Sequence, residues 1–363
     1  MARLRMAVIG VGHLGKEHAR ILAGLSDVEL VGVADVNLDQ AQAVARRCGT
    51  RAYSEYWPLL NLVDAATIAV PTSYHFSIAT DFLGRGIPLL VEKPLAVTLE
   101  QADSLVQLAA QQKTILQVGH IERFNPVFED IEQRRLQPKF VECERLGPFT
   151  GRSTDIGVVL DLMIHDLDLL LALLRSPICS VAAVGVRLFG NHEDVANARL
   201  VFANGCVANI TASRASAASS RHMRLWAPEG YASLDFARRQ LTLIQPSEHL
   251  RQHGLDLGKQ DAAAIVRLKE EMFTRQMQVL HLDRSGGDQL TRELQHFIYC
   301  VRTGTRPRVS GEEARDALAL AGSILESLQA HPWAGNTRGP IGPLHIPAPL
   351  GPLFQPIEGE AAA

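Results

Sequence analysis

Val8-Ile9-Gly10-Val11-Gly12-His13-Leu14-Gly15 is the stretch on which the fold turns. Leu4 to Ile9 is an apolar run that stops at Gly10, and from Gly15 to about Leu25 apolar residues recur at helical spacing. The reading is strand, glycine turn, helix. In that context GxGxxG has a physical meaning: Gly10 permits the tight turn, Gly12 lets backbone approach a pyrophosphate, and Gly15 lets helix and strand pack closely. The helix N-terminus then offers unpaired N–H groups to the anion. Gly10, Gly12, His13, Leu14 and Gly15 are the expected cofactor turn, with no separate chemical role for the His13 side chain. A glycine turn that binds nothing is the bland alternative. Against it stands Asp35, which ends a second apolar run, Val28 to Ala34, about 20 residues beyond Gly15. A carboxylate there suits the two hydroxyls of an adenosine ribose. It would repel a 2′-phosphate, and Val36-Asn37-Leu38 brings no cation to offset that, so NAD is expected rather than NADP.

Working outward, the alternation continues. A helix from Leu38 to about Cys48 is followed by strands at Ala65–Val70, Pro88–Val91 and Ile115–Val118, with helices at Ser77–Arg85 and Thr98–Gln112 between them. Residues 1–120 therefore read as a doubly wound, parallel Rossmann domain. Beyond Gly119 the rhythm changes. After a helix near Asn125–Arg134, a strand near Lys139–Arg145 and an apolar helix from Gly157 to Leu174, strands cluster at 181–188, 196–202, 206–212, 223–227, 232–235 and 240–244. Asn204-Gly205 suits a tight hairpin. Residues 246–287 carry no clear period, and amphipathic helices follow at Gln289–Arg302 and Gly311–His331. The expectation is an α+β domain over 121–331 with a large, mostly antiparallel open sheet, then a Pro/Gly-rich tail over 332–363. One broad sheet face is left to cover, so a homodimer or homotetramer through that sheet is expected.

Composition fits this picture. The 363 residues exceed what one core usually serves, and 47% hydrophobic with 21% charged residues is ordinary for a globular protein. A net charge of −3 offers no basic field for nucleic acid. Apolar stretches stop short of the roughly 20 residues a membrane span needs. Met1 to Val11 runs straight into a strand without a signal-peptide pattern, and Cys48, Cys143, Cys179, Cys206 and Cys300 form no CxxC pair, so a reducing, cytoplasmic location is expected. No grouping of His, Cys and carboxylates has metal-ligand spacing.

Two short constellations carry chemistry. Glu92-Lys93-Pro94 ends a Rossmann strand, and strand C-termini surround the crevice where cofactor and substrate meet. A solvent-exposed loop lysine is the alternative for Lys93. In Asp161-Leu-Met-Ile-His165, helical spacing of four puts Asp161 and His165 on one face, where the carboxylate would orient the imidazole for general acid–base work. A core histidine satisfied by a carboxylate is the alternative here. Asp166 and Asp168 read as surface or packing residues.

With Gly10-Val-Gly-His-Leu-Gly15, Val70-Pro-Thr-Ser-Tyr-His75, Glu92-Lys-Pro94 and Asp161-Leu-Met-Ile-His165 in this order, the chain resembles the Gfo/Idh/MocA oxidoreductases over residues 4 to about 330. The resemblance implies an NAD-dependent dehydrogenase acting on a carbohydrate hydroxyl, with Lys93, Asp161 and His165 as the catalytic group. It implies that Pro71, Thr72 and His75 border the nicotinamide, that Glu92 reaches its ribose, and that Lys93-Pro94 is often cis. Which of Lys93 and His165 accepts the proton stays open. A narrower stretch, Gly119-His-Ile-Glu-Arg-Phe-Asn-Pro126, is similar to members that oxidise C3 of UDP-N-acetylglucosamine or its uronic acid. It implies substrate contacts from Arg123 and Asn125, with Arg152, Ser153 and Thr154 assisting. The chain departs from the family in Asp155-Ile-Gly-Val-Val-Leu160, which has one glycine where relatives often have several. A free-sugar or inositol dehydrogenase, a glycosidase of the same fold, or a non-catalytic dinucleotide-binding regulator are the alternatives.

Overall fold

The computed structural model describes residues 2–151, 156–255, 257–334 and 337–342. Arg152, Ser153, Thr154 and most of the 332–363 tail lie outside them. The first sheet uses β1 (Leu4–Ile9), β2 (Val28–Ala34), β3 (Arg51–Tyr53), β4 (Ala65–Ile68), β5 (Leu89–Glu92) and β6 (Leu116–Gly119), all parallel, in the order β3-β2-β1-β4-β5-β6. The order reverses between β1 and β4, and the crevice beyond the strand ends at such a switch point is where ligands bind. Helices α1 (Gly15–Gly24), α2 (Leu38–Cys48), α3 (His75–Leu83) and α4 (Leu99–Gln111) cover the two faces, so the strands are apolar on both sides.

After α5 (Pro126–Gln133), the second sheet is built from β7 (Phe140–Leu146), β8 (Ile178–Val186), β9 (Val195–Phe202), β10 (Val207–Ser213), β11 (Ser220–Ala227), β12 (Gly230–Asp235), β13 (Gln240–Pro246) and β14 (Met277–Asp283). Its order is β14-β13-β12-β11-β7-β10-β9-β8, antiparallel except between β7 and β10. The hairpin between β9 and β10 turns at Asn204-Gly205, where Gly205 has φ +82° and its N–H donates to the Phe202 carbonyl. One sheet face packs on α6 (Ile164–Leu174), whose long apolar run sits in the main core of this half. Residues 246–287, which carry no clear period in sequence, form α7 (Glu248–His253), α8 (Ala262–Glu271) and the edge strand β14; β14 is mostly exposed, so no buried face marks it.

The last two helices tie the halves together. In α9 (Gln289–Thr303), Leu290, Leu294, Phe297 and Ile298 pack with Met6, Val8 and Leu22 of the Rossmann core. Helix α10 (Gly311–Ala330) starts at a capping box of Ser310 and Glu313 and packs against α4, α6 and β8. The 121–331 segment thus returns to complete the first domain.

Candidate active site

At the cofactor turn, Gly10 has φ +82°, and a Cβ there would lie 2.7 Å from the Ala69 carbonyl oxygen. A Cβ on Gly15 would meet the Gly10 carbonyl oxygen at 1.9 Å, so only glycine lets helix α1 sit this close to β1. A Cβ on Gly12 would face open space, which leaves its backbone clear for a phosphate. No side chain caps the N-terminus of α1; its Lys16 and Glu17 N–H groups donate to the Gly12 and Leu14 carbonyls, so the amides of the turn just before them are the ones suited to an anion. Asp35 Oδ2 accepts from the Val11 N–H at 2.9 Å and Oδ1 from the Asn37 N–H at 2.9 Å. The carboxylate is thus aimed across the turn with lone pairs left for ribose hydroxyls. Val36 beside it is 95% exposed. These residues fit NAD: the turn at Gly12 to Leu14 would hold its phosphates and Asp35 its adenosine ribose, with the nicotinamide end directed beyond β4 and β5, near Pro71 and Thr72.

Lys93 follows β5, and its peptide bond to Pro94 is cis. Its Nζ donates to Asp161 Oδ1 at 3.0 Å and to the Asp161 carbonyl at 2.7 Å. Asp161 therefore holds Lys93 and not His165, contrary to the helical-spacing expectation. The reason is local: residues Val159–Met163 form a π-turn, whose wider winding removes the one-turn alignment of positions four apart. His165, at the start of α6, is half-buried, and its Nδ1 has no hydrogen-bond partner. Burial first, then the nearby Lys93 ammonium, push His165 well below the ordinary imidazole range, so the ring is neutral and keeps a free lone pair.

The next residue is locked. Arg145 on β7 grips Asp166 with two hydrogen bonds, at 3.0 and 2.8 Å, and reaches Glu122 at 3.0 Å, all three side chains being buried. This cluster fixes the first turn of α6 and hence where His165 points.

Several assignments from sequence change. Arg123 is 4% exposed, and its guanidinium donates to the Arg308 carbonyl and Glu313 and sits 3.6 Å from Asp168. It faces a cavity of about 860 Å³ bounded by α6, α10 and β8, and its side chain is committed to joining those helices. Asn125 is fully buried: its Nδ2 donates to Glu122 and to the Phe236 carbonyl, and its Oδ1 caps α5 at Val127 N–H. The short helical turn Ile121–Phe124 and the cap that follows it at Asn125 thus engage both side chains in packing. Glu92 Oε1 lies 3.1 Å from Nε2 of the buried His18 of α1. His75 is buried with Nδ1 2.9 Å from the Pro94 carbonyl and Nε2 2.9 Å from the Val70 carbonyl, so it braces the two crevice loops. Asp166 and Asp168 are packing residues, as expected, and buried.

Two residues of the site were not singled out by sequence reasoning. His120 follows β6 directly, and the pairing Glu92↔Gly119 sets it beside Lys93. Arg221 starts β11 opposite Arg145; its side chain is 55% exposed, stands 4.0 Å from Glu122 and adds to the positive field at His165.

Comparison with known proteins then identifies the chain. Residues 4–120 match the model of an oxidoreductase family with an NAD-binding Rossmann fold, and residues 131–233 match the Gfo/Idh/MocA C-terminal domain. The UDP-N-acetylglucosamine 3-dehydrogenase of Acidithiobacillus ferrooxidans is 40% identical over 272 residues, 73% of this chain and 86% of that enzyme. The chain belongs to the Gfo/Idh/MocA family. As a member it is an NAD-binding oxidoreductase. A solved structure of the Acidithiobacillus enzyme superposes with a TM-score of 0.80 at 34% identity, covering 90% of this chain and 98% of that one. More distant within the Gfo/Idh/MocA group is the scyllo-inositol 2-dehydrogenase of Bacillus subtilis, 27% identical over 86% of this chain and 90% of that enzyme. Among the described residues, no helix is long and apolar enough to cross a membrane.

Proposed function

We propose that this Gfo/Idh/MocA member oxidises the C3 hydroxyl of a UDP-N-acetylhexosamine or its uronic acid to a ketone. The substrate reading is carried by the 40% identity to the Acidithiobacillus enzyme, and the chemistry by the Lys93, Asp161 and His165 cluster beyond β5. Bound NAD supplies the hydride acceptor. His165, neutral, takes the hydroxyl proton as hydride leaves the same carbon. Lys93, anchored by Asp161, directs its ammonium at the developing alkoxide and stabilises it by charge and hydrogen bonding. Arg145, through Asp166, keeps the imidazole in place. With Arg123 buried, Arg221 is the arginine suited to the substrate's anionic group, since its side chain is exposed and its charge acts on His165.

The direct test mixes the protein and NAD with UDP-N-acetylglucosamine, its uronic acid, free N-acetylglucosamine and inositols, following reduced nicotinamide and the mass of the product. Turnover of a UDP sugar, weakened in KM by Arg221→Ala, is expected; efficient turnover of inositol with inert UDP sugars would overturn the substrate while leaving the dehydrogenase chemistry standing. The same reading includes self-association through the outer sheet face, where Trp226 stands opposite Phe140 and Tyr231 with ring centroids 5.1 and 5.3 Å away. Sedimentation of wild type and Trp226→Glu checks it: a monomeric wild type contradicts it. A reducing compartment such as the cytoplasm suits the cysteines, which are all unpaired.

A further inference from the structure

A histidine base needs its second ring nitrogen held, because that bond fixes the tautomer and the direction of the first. Asp161 does not supply it, being occupied by Lys93. His165 Nδ1 is left without a partner. The same is true of both nitrogens of His120, a residue 1% exposed. A buried polar atom left unpaired is destabilising, so a phenylalanine in that place would be the more stable choice. The two imidazoles are neighbours: their ring centroids lie 6.3 Å apart with planes at 83°.

We propose that His120 is the positioning residue of His165, accepting a hydrogen bond from its Nδ1–H when substrate enters and so presenting the Nε2 lone pair to the hydroxyl. Bonds of this kind are often open in the free enzyme and close in the substrate complex. At the present centroid separation of 6.3 Å, turning the rings in place leaves their nitrogens about 4 Å apart, so closing this bond takes an approach of about 1 Å as well as a rotation. It satisfies His165 Nδ1 and one nitrogen of His120 together. When His165 takes the proton, the Nδ1–H bond becomes charge-assisted and strengthens, which favours the transition state over the ground state.

The surroundings keep His120 an acceptor. Burial first, then the charges of Lys93 and Arg123, lower it to about 3, so it stays neutral with one lone pair free. The charged groups acting on His165 itself are Lys93 beyond β5, Arg145 on β7 and Arg221 on β11, with a proton on His120 acting in the same direction and Asp166 adjacent on its own helix. All three cations disfavour the imidazolium. A neutral acceptor on the remaining side is what lets His165 hold a proton during turnover without a second buried carboxylate.

This inference rests on His165 being the base, and the experiment separates the two. His120→Phe keeps the ring shape and removes both nitrogens; His120→Gln restores an acceptor. Expected are a 10- to 100-fold fall in kcat for His120→Phe with KM for NAD and sugar little changed, and partial recovery in His120→Gln. A purely structural role predicts the opposite, a Phe variant of equal or higher stability with kcat intact, and that result overturns the proposal. A Gln variant as slow as the Phe variant overturns it too. Nitrogen NMR of the His165 ring in the protein with NAD and an unreactive 3-deoxy sugar nucleotide reads the tautomer without turnover. Nδ1–H in the wild type and a tautomer mixture in His120→Phe are expected, and the same tautomer in both refutes the pairing. If instead His165→Ala retains full turnover, the base assignment fails, and that failure is visible whatever His120 does.

Discussion

The turns at Gly10–Gly15 and at Ile121–Phe124 both leave a strand of the same parallel sheet and both lead to a helix, yet they do opposite things. The first has glycine at three of its six positions, two of which leave no room for a Cβ, and no side chain caps the helix it opens. The second buries Glu122, Arg123 and Phe124 and gives its polar groups to Arg145, Asp168 and Glu313. A site made of backbone is decided within a few residues, because glycine alone tolerates its geometry. A site made of side chains is decided by distant partners, here 185 and 190 residues along the chain at Arg308 and Glu313.

The sharpest way to break that contrast is Arg123→Met. If Arg123 is a packing group, removing it leaves Asp168 and Glu313 without their cation and lowers stability by about 3 kcal/mol or more. KM for the sugar nucleotide should not change. Urea unfolding together with steady-state kinetics checks both halves; a raised KM in a fully stable variant would return Arg123 to the substrate. Next comes Lys93→Met, which removes the ammonium from the developing alkoxide and is expected to lower kcat about 100-fold, with folding and NAD affinity retained. Near-normal turnover would mean that Asp161 holds Lys93 for structure alone. A smaller effect belongs to the backbone site: Asp35→Ala should weaken NAD roughly tenfold, in line with losing a charged hydrogen bond, and narrow the preference over NADP. Calorimetric titration of both cofactors measures it, and unchanged affinities would remove the ribose contact.

What was legible follows the same division. The Rossmann strands except the three-residue edge strand β3, the glycine turn and Asp35 are written in local pattern, and so are most strands of the second sheet, because one buried face imposes alternation. β14 was missed because both its faces are largely exposed. Lys93 was placed by the rule that strand ends line the crevice. The Asp161 and His165 pairing was misread since four-residue spacing assumes an α-helix, and the π-turn at Val159–Met163 leaves no trace in hydrophobic period. His120 was hidden for another reason: only the register of β5 against β6 brings it beside Lys93.

The smallest effect expected is a flat line. A free imidazole would be half protonated near pH 6.5, so a base with that value would lose half its rate there. In the folded protein burial and Lys93 hold His165 well below 6.5. The neutral form therefore persists as pH falls from 8 through 6.5, and kcat/KM should stay level over that window, dropping only at more acid pH. Stability carries the matching sign. Because the folded-state value is depressed, the unfolded chain binds the proton first, so the contribution of His165 is complete above about pH 6.5 and is lost as pH falls toward the folded value. Rate profiles and urea midpoints across this range test the two together. A twofold loss of kcat/KM centred near 6.5, with no loss in stability, would show His165 titrating as an exposed ring and would make its crowding by Lys93, Arg145 and Arg221 irrelevant to the chemistry.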